Sequence, residues 1–284
     1  MVVKIVTDSG ADLSEKIAKD LDITVVPLHI IFGQEEDFRD GVDMGHEELY
    51  GRIIKGSVIP TTSTASPGEF AEVFKKLIKD GASGIICINV SGKLSKTYGS
   101  ASDAQELLKN ENCPITVIDS ENVAMGTGFL AVMAARLAKE GKSQAEIVDA
   151  VEESIPRVHM MAALDNLKYL IKGGRAPKIM GTVSDILQFK TFLAIKDGEI
   201  HPDGRTRTRR EKISRLVRFV ESFADSGVEE VAVEYGINKE EAEAVGKGIV
   251  EKFPELSADL SVLGAALGVH AGPDIIVVSV RTKK

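Results

Sequence analysis

The chain has 284 residues, 43% of them hydrophobic and 27% charged. That balance suits a globular protein able to bury a core without disulfide or metal staples, and it excludes intrinsic disorder. A net charge of −8 argues against nucleic acid and anionic membrane surfaces as partners, except at one basic cluster, Arg205, Arg207, Arg209 and Arg210.

Two cysteines, Cys87 and Cys113, have no CxxC spacing and no neighbouring histidine, so no zinc or other metal site is expected. Cys87 sits in the apolar run GIICINV and reads as a small buried hydrophobe. No run approaches ~18 apolar residues, so no stable membrane anchor is expected. The first residues enter a strand pattern directly, without a charged and then cleavable apolar leader, and a reducing cytoplasmic location fits.

Short Val- and Ile-rich runs at 2–7, 23–31, 84–90 and 115–119 are predicted strands. Helical patterns at 14–21, 45–54, 67–80, 96–109 and 126–140 lie between and after them. Ser66-Pro67-Gly68-Glu69 and Ser143-Gln144-Ala145-Glu146 both carry capping-box spacing, the first with proline at the first helical position. Near-continuous apolar strands alternating with helices predict an α/β domain with a parallel sheet covered on both faces. The second half differs. Strands are predicted at 158–164, 189–196 and 199–201, with the hairpin signal Asp197-Gly198 between the last two. Helices at 210–225 and 239–253 and strands at 229–235, 259–263 and 275–280 complete a mixed α+β pattern. The predicted domains are 1–157 and 158–284, with no long linker between them.

Four polar segments are richer in hydroxyls and turn residues than packing requires: Thr7-Asp8-Ser9, residues 60–68 (PTTSTASPG), residues 91–98 (SGKLSKTY) and Asp119-Ser120. Three of them follow strands, where open parallel sheets bind ligands. Hydroxyls such as Thr62 and Ser95, with Ser95 at a predicted helix start, suit a carboxylate or a single phosphate. The alternative is that these residues simply cap helices and close turns. His270, in GVHAGP before the last strand, can donate to an anion or bond a loop carbonyl. Lys172-Gly173-Gly174-Arg175 reads as a helix C-cap or as a tight turn presenting a cation. GxxxxGK[ST], HExxH, GxSxG and a GxGxxG after the first strand are all absent, so no cofactor is implied.

Taken together, these segments resemble the DegV family of bacterial fatty-acid-binding proteins. The resemblance spans the chain: TDSGADL (7–13), PTTSTASPGEF (60–70), LSKTYGSA (94–101), IDS (118–120), LDNLKYLIKGGR (164–175) and HAGP (270–273). It implies an acyl chain of the palmitate or oleate class in a buried tunnel. It also implies a non-enzymatic role, in which the carboxylate is presented to a separate DhaK/DhaL-like fatty acid kinase protein for acyl-phosphate formation. By motif, the carboxylate ligands map onto Thr62, Ser95 and His270, with Thr61, Ser63 and Ser91 as possible additions. Arg175, Arg205 and Arg207 are the candidate kinase-docking cations. Two positions depart from the family pattern: Lys96 and Asp274 stand where glycines are usual.

A sixteen-carbon tail would bury about fourteen methylenes, worth on the order of 11 kcal/mol before ordering costs, so tail burial supplies the affinity and the headgroup contacts set orientation. Two competing readings stand beside this one. One is an acyl hydrolase or transferase using Ser95 and His270, which would be labelled covalently by an activated acyl ester or phosphonate. The other is a regulatory module for a small anion.

Overall fold

The structure, a computed structural model, describes residues 2–56, 58–175 and 189–283. Two compact units emerge, one made of residues 1–29 and 63–156, the other of 30–62 and 157–284. The segment 30–62 thus lies early in sequence yet belongs with the C-terminal half.

The first unit is built on a four-stranded parallel sheet, ordered β2-β1-β6-β7. Its strands are β1 (Val3–Asp8), β2 (Ile23–Val26), β6 (Gly84–Asn89) and β7 (Ile115–Asp119). All six residues of β6 are buried, as expected for a central strand covered on both faces. Helices α3 (Pro67–Lys79), α4 (Thr97–Leu107), α5 (Met125–Lys139) and α6 (Gln144–Ser154) belong to this unit. Both predicted capping boxes form: Ser66 and Ser143 each accept from the backbone N–H three residues on, and Glu69 and Glu146 bond back. Phe70 and Phe74 pack with Val6, Ile85 and Cys87 in the core. Burial pushes the Cys87 thiol pKa well up, consistent with an inert packing role.

The second unit carries a six-stranded sheet, ordered β10-β9-β8-β13-β11-β12. Its strands are β8 (Val158–Leu164), β9 (Lys190–Lys196), β10 (Glu199–Thr206), β11 (Val228–Tyr235), β12 (Ala258–Val262) and β13 (Ile276–Thr282). Neighbours are antiparallel except β11 and β12, which gives the mixed α+β character. Asp197 and Gly198 both have positive φ (50° and 73°), the backbone that a two-residue hairpin turn demands. Helices α8 (Arg209–Glu221) and α9 (Lys239–Lys252) supply Leu216, Val220, Val245 and Ile249 to a core with Phe192, Val233 and Val278.

Several elements differ from the sequence reading. The predicted strand 23–31 is two strands, β2 and β3 (His29–Phe32), separated at Pro27, whose missing N–H cannot continue a ladder. β3 joins a small sheet ordered β4-β3-β5, with β4 (Glu36–Arg39) and β5 (Thr61–Ser63), both too short and polar to announce themselves. β10 runs on past the predicted end at 201 to Thr206, with a shift of register between Pro202 and Arg205 that takes up Asp203 and Gly204. Among the described residues, no helix is long and apolar enough to cross a membrane, and no cluster of His, Cys, Asp or Glu is placed to hold a metal.

Candidate functional site

Thr62 is the middle residue of β5. Strand alternation leaves Thr61 and Ser63 exposed and turns Thr62 the other way, half-buried. His270 lies on α10 (Ala265–Ala271), a short helix where the sequence suggested a loop. The small residues that disguised this helix let it pack closely. A Cβ at Gly268 would sit 2.8 Å from the Tyr50 hydroxyl and 2.9 Å from a Leu49 methyl, on α2 (His46–Lys55).

Thr62 and His270, 208 positions apart, meet directly: Thr62 Oγ1 is 2.7 Å from His270 Nε2. The other ring nitrogen, Nδ1, is buried with no hydrogen-bond partner among the described residues. It faces the end of α7 (Lys168–Lys172), where a Cβ on Gly173 would lie 2.2 Å from it. That helix closes in a Schellman motif. Gly174 takes φ +71°, its N–H donates to the Ile171 carbonyl (3.0 Å), and the Arg175 N–H donates to the Leu170 carbonyl (3.2 Å). The C-cap reading of these glycines therefore holds, and the same turn presents a cation. Arg175 Nη1 donates to the Gly173 carbonyl at 2.6 Å.

Burial, with the Arg175 charge nearby, pushes the His270 pKa down to about 4. The imidazole is therefore neutral at neutral pH. With Nε2 protonated, it donates to Thr62 Oγ1, and the threonine hydroxyl is left to donate outward to an anion. With Nδ1 protonated, Thr62 donates to Nε2 instead. Only the first arrangement leaves a hydroxyl proton available to an acceptor outside the pair. An imidazole with so low a pKa is a weak base for activating a nucleophile.

Ser95 lies in the first unit, in the loop between β6 and α4. Its half-buried hydroxyl is 2.7 Å from Thr97 Oγ1 and accepts from the Thr97 N–H at 3.2 Å. The helix starts at Thr97, one residue later than predicted, with Lys96 at the N-cap making no side-chain cap bond. Ser91 is fully buried and serves its own loop: its hydroxyl accepts from Lys93 N–H, and its carbonyl from Leu94 and Ser95 N–H. Asp8 is also structural. It is fully buried, its pKa raised by that burial, and it accepts from Gly10 N–H, Val90 N–H and the Asn89 amide. Arg205 is exposed on β10, and the exposed Arg207 stacks 4.4 Å above the Phe189 ring. Asp274 accepts from the Asn238 side chain at 3.3 Å, just before α9, so this departure from the family glycine ties down a loop.

His270 has a folded-state pKa below its ordinary 6.5, so the unfolded chain takes up the proton more readily. Its stabilising contribution is complete above 6.5 and is lost as pH falls toward about 4. Thermal unfolding of wild type and His270→Gln over that window checks this. The glutamine variant should lose less stability on acidification, and parallel curves would contradict the buried neutral imidazole.

Residues 2–283 match the model of the DegV family, described as an uncharacterised protein family. A DegV domain-containing protein of Caldanaerobacter subterraneus is 35% identical over 276 residues, covering 96% of each chain. Protein DegV of Bacillus subtilis is 30% identical over 274 residues, again 96% of each. Among solved structures, DegV from Bacillus subtilis, a fatty acid binding protein, matches with a TM-score of 0.90 at 28% identity over 100% of both chains. A stearic acid-binding protein from Eubacterium ventriosum also matches with a TM-score of 0.90 at 28% identity, over 98% of both. On this sequence match and shared fold, the chain belongs to the DegV family.

Proposed function

We propose that this chain is a cytoplasmic carrier that binds one long-chain fatty acid, of the palmitate or oleate class, through its carboxylate. The observation that carries the reading is the Thr62–His270 pair, a hydroxyl held by a neutral imidazole. A neutral hydrogen-bonding pair suits a carboxylate that must leave water without a full counter-charge at its side. The Arg175 cation supplies a favourable field close by. Two similar proteins that match over the whole chain are described as fatty acid- and stearic acid-binding, which supports the ligand class. Ser95 is the third ligand in this proposal, on the strength of the LSKTY motif. The chain itself carries out no chemistry. It presents the carboxylate to a DhaK/DhaL-like fatty acid kinase, and the exposed cations Arg205 and Arg207, with Arg175, form the docking face.

Calorimetric titration of lipid-stripped protein with palmitate tests the ligand. One equivalent should bind, and Thr62→Ala and His270→Ala should each weaken binding by about tenfold, the scale of one lost hydrogen bond to a charged group. Absence of palmitate and oleate binding by the wild type would sink the carrier reading and promote the small-anion module. Covalent labelling of Ser95 by an acyl phosphonate would instead revive the hydrolase. The docking face is tested separately with Arg205→Glu/Arg207→Glu. Phosphorylation of bound lipid by the kinase should fall while palmitate affinity holds. Lost lipid binding in that variant would contradict the assignment.

A further inference from the structure

Lys212 is fully buried on α8, a state lysine rarely adopts unless paired. Its Nζ lies 2.8 Å from Asp165 Oδ1 and 2.6 Å from Glu241 Oε2 on α9. Neither acid depends on it alone. Asp165 also pairs with Lys190 of β9, and Glu241 Oε1 lies 3.0 Å from Arg209 Nε. Charge balance therefore does not require a lysine at 212. Burying an ammonium costs several kcal/mol, which the two carboxylates at Nζ offset. What Lys212 uniquely adds is a link joining three elements at one point.

Asp165 is the first residue past β8. Asn166 follows, and its side chain accepts from the Lys168 N–H at 2.8 Å to start α7. This helix has five residues, too few to hold a position by itself. It begins three residues past Asp165, buries Tyr169 and Leu170, and ends with Gly173 against His270. We propose that Lys212 is a positioning residue for the Thr62–His270 site: its shared ammonium fixes Asp165, and thereby seats the C-terminus of α7 against the imidazole. The inference rests on reading that pair as the carboxylate site.

The test compares lipid-free Lys212→Met and Lys212→Arg with wild type, using Gly173→Ala as a variant that displaces the imidazole directly. Palmitate affinity is read by calorimetry, and His270 titration by NMR of its ring protons. Lys212→Met should keep its circular dichroism spectrum and bind palmitate about tenfold more weakly, the size of a coupling within one contact network. Its His270 should titrate closer to 6.5 than to about 4, in the same direction as Gly173→Ala, and Lys212→Arg should restore both readouts. Unchanged affinity and unchanged titration in Lys212→Met would overturn the proposal, whatever happens to Tm. Should that variant fail to fold, Asp165→Asn is measured in the same way with the same two outcomes. A wild type that takes no palmitate defeats the fatty-acid reading instead. The His270 titration then decides the positioning role alone.

Discussion

The close approach of the α7 terminus to His270 is the constraint on which the candidate site depends. Gly173 is required there because any side chain would collide with Nδ1. That contact buries the imidazole and brings Arg175 near it, and the two effects together keep the ring neutral. A neutral ring can share one hydrogen bond with Thr62 and leave the hydroxyl free to serve a ligand. A charged imidazolium would donate from both nitrogens, and its Nδ1–H would be a buried charged donor with nothing to receive it.

The surrounding fold supplies rigidity where the site needs it. Thr62 is held by strand pairing in a small sheet and His270 by a helix wedged against Leu49, Tyr50 and Tyr169. In the first unit, buried polar groups such as Asp8 and Ser91 are absorbed in knitting strand ends and loops together. Segments that look alike in sequence, all hydroxyl-rich turns beyond strands, thus divide into scaffolding and candidate ligands once their bonds are followed.

Much of the fold was legible because local signals agreed with one another. The capping boxes at Ser66 and Ser143, the apolar run around Cys87 and the Asp197-Gly198 turn each work through nearest neighbours, and each forms as read. The failures have equally local causes. Pro27 splits a run whose apolar pattern is continuous. α10 was hidden because glycines chosen for close packing look like loop residues. The pairing of Thr62 with His270 spans 208 positions, and no periodicity carries it; only the family motifs placed both residues in one role. Lys212 gave no signal, since a lysine in a charged helical stretch reads as solvated until its burial is seen.

On the proposed function, one fatty-acid carboxylate is received by the Thr62–His270 pair. Palmitate labelled with carbon-13 at its carboxyl, added to protein labelled with nitrogen-15 in its histidines, tests this by NMR. A single bound carboxyl resonance should saturate at one equivalent, and the His270 Nε2 signal should move in step, toward the protonated-Nε2 form. Saturable palmitate binding with no change at His270 would place the carboxylate elsewhere and contradict the claim.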